Sequence, residues 1–418
     1  MPNKIIIVSN RLPVRVSKSN NAISIQPSIG GLATGLKHIH EKNPCIWIGW
    51  PGISLEEVSW SERRYIEENL AERSLYPVFL SSEDIENYYY GFCNSTIWPL
   101  FHYFPEKARF EERFWHAYQR VNELYLNAVL EVYRDGDIIW VHDYHLMLLP
   151  LLLRQKLGND APIGFFLHIP FPSSEVFKLM PWRLEILRGI LGADLVGFHT
   201  YGYVRHFLSA VRRLLGFENK LGRIFIEDRV VLVDAFPMGI DFESFVSLLS
   251  DNEVRRKIEE YKLSFQGLKV ILSVDRLDYT KGIPQRLLAY ERFLSKYPEY
   301  IGKVVLVLLV SPSRIGVKEY AELKRCIDEL VGRINGRFST LDWSPILYVY
   351  KFTPLQDLLA LYVVSDVALI TPLYDGMNLV SKEYVAAKEG GDGVLILSEG
   401  AGASSELVEA LIVNPNNI

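Results

Sequence analysis

The stretch Ala235-Phe236-Pro237-Met238-Gly239-Ile240-Asp241 interrupts an otherwise regular series. A β-rich run, Val230–Ala235, stops there; polar helical sequence follows to Phe265, and a fresh apolar run begins at Lys269. Proline removes a ladder donor and glycine frees the backbone, so the pair ends a strand rather than continuing it. Before this break the runs Lys4–Val8, Ile46–Ile48, Tyr76–Leu80, Asp137–Val141, Ile163–Leu167 and Leu195–Phe198 also read as strands. After it come Lys269–Val274, Lys303–Val310, Ile346–Tyr350, Val367–Ile370, Val394–Leu397 and Leu411–Val413. Amphipathic stretches lie between them, among them Phe110–Tyr133, Tyr203–Leu215, Pro284–Tyr297 and Glu319–Arg333. Strands that are apolar along their whole length are buried on both faces, as parallel strands covered by helices are. The fold class is α/β, in two doubly wound halves, residues 1–238 and 239–418. Two such halves facing each other predict a cleft at the carboxyl ends of both sheets, where open α/β sheets take their ligands.

Length and composition agree. At about 150 residues per domain, 418 residues make two or three domains. Hydrophobic residues at 49% and charged residues at 23% exclude a disordered chain. A net charge of −5 supplies no basic face for nucleic acid. Cys45, Cys93 and Cys326 are odd in number and widely spaced, which excludes a disulfide framework or zinc ribbon and makes a reducing cytoplasm the expected compartment. The amino terminus is apolar only over Ile5–Val8, too short for a signal peptide. Leu146–Leu153 and Val304–Val310 are too short to span a bilayer, so no membrane partner is expected.

Several clusters sit where strands end. Ser9-Asn10-Arg11 follows the first strand, and Ser28-Ile29-Gly30-Gly31 leads toward a helix. Glycines there let backbone N–H groups approach a phosphate, although a tight turn explains them equally and the dinucleotide spacing GxGxxG is missing. Aromatic residues gather at Trp47–Pro51, Tyr88–Gly91 and Trp98-Pro99. They serve either as core or, beside glycine and proline turns, as a face that stacks on a sugar; composition leaves both open. His142-Asp143-Tyr144-His145 and His168-Ile169-Pro170-Phe171-Pro172 each follow a strand, with no HExxH or carboxylate cluster to make a metal site.

In the second half Asp275-Arg276-Leu277-Asp278-Tyr279-Thr280-Lys281-Gly282 follows a strand directly. A guanidinium fork and an ammonium five residues apart suit a diphosphate; the plain alternative is a loop in which they pair with Asp275 and Asp278. Thr371–Glu383 then turns at Gly376 into a helix beginning near Met377–Asn378. Its first N–H groups can take a phosphate, and Glu383 can accept from ribose hydroxyls.

At this point the chain resembles a known family. SNRLP, GGLATGL, WIGWPG, YYYGF with WPLFHY, HDYHL, HIPFP, RLDYTKG, SPSR and DGMNLVSKEYVAA occur in the order seen in trehalose-6-phosphate synthases, over essentially the whole chain. The resemblance implies the GT-B fold, an N-terminal Rossmann-like acceptor domain and a C-terminal Rossmann-like donor domain. It implies transfer of glucose, with retention, from a nucleotide-glucose to the anomeric hydroxyl of glucose 6-phosphate, without a metal or other cofactor. Arg11, Trp50, Tyr89, Trp98, Asp143 and Arg314 would hold the acceptor, Arg11 and Arg314 at its phosphate. Gly31, Arg276 and Lys281 would meet the donor diphosphate, His168 and Asp375 the donor glucose. Gly376, Met377, Asn378, Leu379 and Val380 would line the donor site, with Leu379 and Val380 offering backbone N–H groups to phosphate and Glu383 meeting the ribose. Asp143, His168, Arg276, Lys281 and Asp375 would carry the chemistry, the departing phosphate taking the acceptor's proton while domain closure excludes water.

Rivals remain within and beyond that resemblance. A glucosylglycerol-phosphate synthase or a cyclitol pseudoglycosyltransferase would share the donor half, and a regulator would bind the sugar phosphate without turnover. The acceptor set fits glucose 6-phosphate, and the donor set is complete; a nicotinamide oxidoreductase lacks its fingerprint. The nucleotide (UDP, with GDP or ADP as alternatives), homo-oligomerisation, and association or fusion with a trehalose-6-phosphate phosphatase are left open. The chain also ends at Asn414–Ile418, after a strand, where the family usually continues into helices that close the second domain. The expectation is a piece of a longer protein, or closing helices that are dispensable.

Overall fold

The computed structural model describes residues 4–19, 22–28, 31–314 and 318–418. The chain divides into two compact units, Met1–Pro237 and Met238–Ile418, so Pro237 marks the break.

In the first unit the strands are β1 (Ile5–Arg11), β2 (Val14–Ser19), β3 (Ala22–Pro27), β4 (Cys45–Trp50), β5 (Leu75–Pro77), β6 (Ile138–His142), β7 (Ile163–Leu167) and β8 (Leu195–Phe198). Short β9 (Asn219–Lys220), β10 (Arg223–Ile226) and β11 (Arg229–Ala235) complete it. Among the described residues the main sheet runs β5-β4-β1-β6-β7-β8-β11-β10-β9, parallel as far as β11 and antiparallel at the β10 and β9 edge. Ile6, Ile7 and Val8 of β1 are fully buried between β4 and β6. Strand order reverses between β1 and β6, and at such a switch point the two strand ends open a crevice. Arg11 stands at the end of one strand and His142 at the end of the other.

The second unit holds β12 (Lys269–Arg276), β13 (Val304–Ser311), β14 (Ile346–Tyr350), β15 (Val367–Ile370), β16 (Val394–Ser398) and β17 (Leu411–Val413). They form a parallel sheet in the order β14-β13-β12-β15-β16-β17. Helices cover it on both faces. Leu272, Leu309, Leu359 and Ile370 anchor one apolar layer, and Leu287, Leu306, Leu308 and Ile327 the other. The switch point here lies between β12, ending in Arg276, and β15, followed by Thr371.

Most expected strands match within one to three residues at each end. Two features differ from the sequence reading. Val14 and Val16 alternate with polar residues and pair with Pro27 and Ile25 in the β2–β3 hairpin, a period-2 signal distinct from the continuous apolar runs of the main sheet. Tyr88–Tyr90 do not flank a turn: Ile85–Ile97 winds as a π-helix, with Trp98 N–H donating to the Cys93 carbonyl. Such wide turns are rare and frequently mark functional sites.

Candidate active site

In the first unit, the end of β1 is bent toward β4. Register slips between Val8 and Arg11, so that Arg11 comes opposite Trp50. Gly49 permits this approach, because a Cβ there would lie 2.8 Å from backbone atoms of Arg11 and Leu12. The Arg11 guanidinium then stands 4.2 Å from the centre of the Trp50 ring and 5.2 Å from that of Tyr89. Trp50 is fixed by its indole N–H on the Ile53 carbonyl (2.8 Å) and by its backbone N–H on the Tyr125 hydroxyl (3.1 Å). A cation held against two ring faces remains able to grip an anion.

The π-helix separates the aromatic cluster into its two roles. Tyr88 is fully buried, its hydroxyl donating to Asn10 Oδ1 at 3.0 Å, so it is core. Tyr89, half-buried, meets Arg11, Trp50 (5.8 Å) and the His145 ring (6.1 Å). Trp98 is buried against His102 and Tyr144. Arg11, Trp50 and Tyr89 are thus brought together, and Trp98 connects to Tyr89 through Tyr144 and His145.

Asp143 has φ +76 and ψ 170, a backbone conformation that is essentially glycine's. Such a residue costs on the order of 1–3 kcal/mol and persists only where its surroundings impose it. Here its N–H donates to the Phe166 carbonyl (2.7 Å), and its Oδ1 accepts from the His168 N–H at 3.2 Å. These two hydrogen bonds hold Asp143 and His168 side by side at the ends of β6 and β7, against the strain. The His168 imidazole lies 3.0 Å, Nε2 to Nδ1, from that of His142. Burial holds both rings neutral: it pushes His142 down to about 3, and takes His168 well below the usual range, helped by His142 and His199.

In the second unit the Arg276–Lys281 loop is no simple ion-paired loop. Asp275 pairs with Arg286 (2.5 Å) and Asp278 with Arg314 (2.8 Å), both within the interior. Lys281 instead donates to Asp375 Oδ2 at 2.6 Å, where Asn378 Nδ2 also donates at 2.9 Å. Asn378, at φ +74, caps the helix Leu379–Ala387 through Ser381 N–H. The helix therefore starts one to two residues later than expected, and Met377 turns into the core, 3% exposed. The N–H groups of Leu379 and Val380 have no intrahelical acceptor, so Lys281 and a helix N-terminus adjoin one another. Gly402 lets the Asp375–Gly376 turn lie this low, since a Cβ there would be 2.1 Å from the Gly376 carbonyl. Glu383 accepts from the Tyr362 hydroxyl (2.8 Å), and burial raises its carboxyl above the usual range. Arg276 is exposed at the strand end.

Arg314, expected at the acceptor phosphate, is committed to Asp278 and to the Tyr320 hydroxyl. Burial alone would push the Asp278 carboxyl up, but Arg314, Arg276 and Lys281 hold it below the usual range. Gly31 is the first residue of the helix Gly31–Lys42, while Gly30 lies outside the described residues. Sequence reasoning missed Arg286. Its buried guanidinium bonds Asp275, Ser273, Thr371 Oγ1 (3.1 Å) and the Lys281 carbonyl (3.0 Å), and so ties together the loops that carry Lys281 and Asp375. Helical spacing sets Arg286 on the buried stripe of Ile283, Leu287, Tyr290 and Leu294, but its partner Thr371, 85 residues away, gives no local sign in sequence.

Among the described residues no group of three or more His, Cys, Asp or Glu is placed to hold a metal ion, and no helix is long and apolar enough to cross a membrane.

Residues 3–418 match the family model for glycosyltransferase family 20. A bifunctional trehalose-6-phosphate synthase/phosphatase of Thermoproteus tenax is 50% identical over 99% of this chain and 57% of its own length. The UDP-forming alpha,alpha-trehalose-phosphate synthase of Pichia angusta is 47% identical over 99% of this chain and 89% of its own. The chain thus spans little more than half of the first relative and most of the second. Among solved structures, a UDP-forming alpha,alpha-trehalose-phosphate synthase from Burkholderia xenovorans in complex with glucose-6-phosphate superposes with a TM-score of 0.87. It is 34% identical, covering 99% of this chain and 89% of that one.

Proposed function

The chain belongs to glycosyltransferase family 20, and from that membership we propose that it moves glucose from UDP-glucose to the anomeric hydroxyl of glucose 6-phosphate. The products are trehalose 6-phosphate and UDP. The observation that supports this reading is Lys281, held at 2.6 Å by Asp375 beside the N-terminus of the helix Leu379–Ala387.

In the reaction the bond between glucose C1 and the diphosphate oxygen breaks, and its electron pair leaves on the phosphate. Lys281, Arg276 and the N–H groups of Leu379 and Val380 stand ready to take up that charge; preorganised donors of this kind are each worth about 2.7–4 kcal/mol. The acceptor oxygen attacks C1 from the face the phosphate leaves, and its proton passes to that phosphate, so the configuration is retained. A double displacement would need a carboxylate nucleophile beneath C1. Asp375 is already engaged by Lys281 and Asn378, which suits it to orient hydroxyls. Arg11, flanked by Trp50 and Tyr89, takes the acceptor phosphate, with the rings against the sugar; Asp143 and His168 meet sugar hydroxyls. Glu383 meets the donor ribose.

The test is mass spectrometry of products after incubation with UDP-, GDP- or ADP-glucose and glucose 6-phosphate. A phosphorylated disaccharide and nucleoside diphosphate are expected with UDP-glucose. Glucosylation of glycerol 3-phosphate or a cyclitol in its place would move the chain to the rival acceptor class. A phosphatase that releases the product's phosphate would act next, as the Thermoproteus protein's name joins the two activities.

A further inference from the structure

His142 is the last residue of β6, fully buried, its ring 4.4 Å from that of Trp140. Its two ring nitrogens differ sharply. Nδ1 lies 3.0 Å from His168 Nε2, whereas Nε2 is buried with no hydrogen-bond partner among the described residues. A neutral imidazole carries one N–H and one bare nitrogen, and the hydrogen bond made by one nitrogen decides the state of the other.

Two arrangements satisfy the 3.0 Å contact. If the His142 proton is on Nε2, a buried N–H is stranded without an acceptor. If it is on Nδ1, the proton is used in the contact and only a lone pair is stranded. Orphaned donors are rarer in protein interiors than under-used acceptors, so the second arrangement prevails. His168 Nε2 must then accept, which places the His168 proton on Nδ1. The His168 backbone is pinned as well, its N–H on Asp143 Oδ1 at 3.2 Å, and Phe166 (4.6 Å) and His199 (5.3 Å) confine the ring.

We propose that His142 is a positioning residue that fixes His168 as the Nδ1–H tautomer, making His168 an obligate hydrogen-bond donor toward a sugar hydroxyl oxygen. The part played by the sugar rests on the functional reading above; the tautomer does not. His168 then recognises by donation alone: its one N–H is not acidic and its bare Nε2 is taken by His142, so it neither gives nor takes a proton, and the acceptor's proton passes to the phosphate oxygen.

The experiment has two arms. Long-range ¹H–¹⁵N correlation on histidine-labelled protein, with His168 assigned through His168→Gln, is expected to show a protonated Nδ1 and a bare Nε2 on His168. The opposite tautomer overturns the proposal. In the second arm His142→Asn keeps an N–H donor close to the place of Nδ1, and His142→Phe removes it. We expect kcat within about threefold of the parent for the first and down about tenfold for the second, the value of one lost hydrogen bond. The KM for glucose 6-phosphate should not move in either. Equal losses in the two variants, or none in His142→Phe, overturn the positioning role. Should the parent chain fail to glucosylate glucose 6-phosphate, the functional reading falls while the tautomer measurement still decides this one.

Discussion

Replacing Lys281 by alanine separates its catalytic from its structural contribution. The ammonium lies 2.6 Å from Asp375 Oδ2, and the two side chains are 10% and 15% exposed. Breaking a fully buried pair costs about 3–5 kcal/mol and an exposed one about 0–1 kcal/mol. Asp375 keeps Asn378 Nδ2 at 2.9 Å, which offsets part of the loss. A destabilisation on the order of 2 kcal/mol follows, and at about 2–4 °C per kcal/mol the melting temperature should drop by less than about 8 °C. The chain stays folded at assay temperature. Catalysis should suffer far more: loss of one donor at the developing phosphate charge costs about 2.7–4 kcal/mol, or about 10²–10³ in kcat. Because that charge is absent from the ground state, the KM for glucose 6-phosphate should change by less than about threefold. The assay is UDP release at saturating acceptor, with a thermal melt on the same preparation. A folded variant with kcat within threefold of the parent would falsify the leaving-group role.

Four further outcomes are expected. Arg314→Ala leaves Asp278, fully buried, without its 2.8 Å guanidinium partner, so a loss of about 3–5 kcal/mol is expected, recovered in part by adding Asp278→Asn. If Arg314 also grips the acceptor phosphate, the recovered double variant will lose affinity for glucose 6-phosphate and not for glucose; equal losses refute that contact. Burial raises the Glu383 carboxyl, so its contribution to folding is present below the unfolded value and is lost as pH rises through the raised one. If Glu383 accepts from the donor ribose, it does so ionised: the UDP-glucose KM should then rise as pH falls through that raised value, and Glu383→Gln should flatten the profile; an unchanged profile refutes the ribose role. His142, pushed down to about 3, has the opposite sign: its contribution is complete above the ordinary histidine range, about 6.5, and is lost as pH falls from there toward 3, at up to about 1.4 kcal/mol per pH unit. Denaturant unfolding at pH 7.5 and pH 5 should show a shallower pH slope in His142→Phe. Finally, turnover should survive EDTA; a loss restored by a divalent ion overturns the metal-free mechanism.

What the sequence disclosed and what it hid follow from the range of the interactions involved. Strand identity is written locally: the fully buried runs Ile6–Val8 and Val304–Val310 are apolar without alternation because both faces are covered. Site positions were equally local, since Arg11, His142, Arg276 and Thr371 follow directly from where strands end. Partnership was not local. Asp375 lies 94 residues from Lys281, and Asp278 lies 36 from Arg314, so no spacing rule could show these pairings. Nor could composition separate Tyr88, which is core, from Tyr89, which faces Arg11. An α-helix turns 100° per residue and could also separate them, but the wider π turn decides which ring emerges.

Arg286, which the sequence did not single out, and His142, whose partner it did not show, share one feature: each touches the candidate site through another residue. Arg286 meets the Lys281 carbonyl and Thr371, and His142 meets the His168 ring. Asp143 shows why such supports matter. A non-glycine residue at φ +76 would relax unless the Phe166 carbonyl and the His168 N–H held it, so its conformation is a property of β6 and β7 together. This predicts an asymmetry. Asp143→Gly removes the carboxylate and relieves the strain, whereas Asp143→Asn keeps the shape and the strain. Glycine should therefore melt at or above the temperature of asparagine, although it makes fewer contacts. Both should lose acceptor turnover if the carboxylate meets a sugar hydroxyl. A glycine variant clearly less stable than asparagine would mean that the hydrogen bond to His168 outweighs the strain.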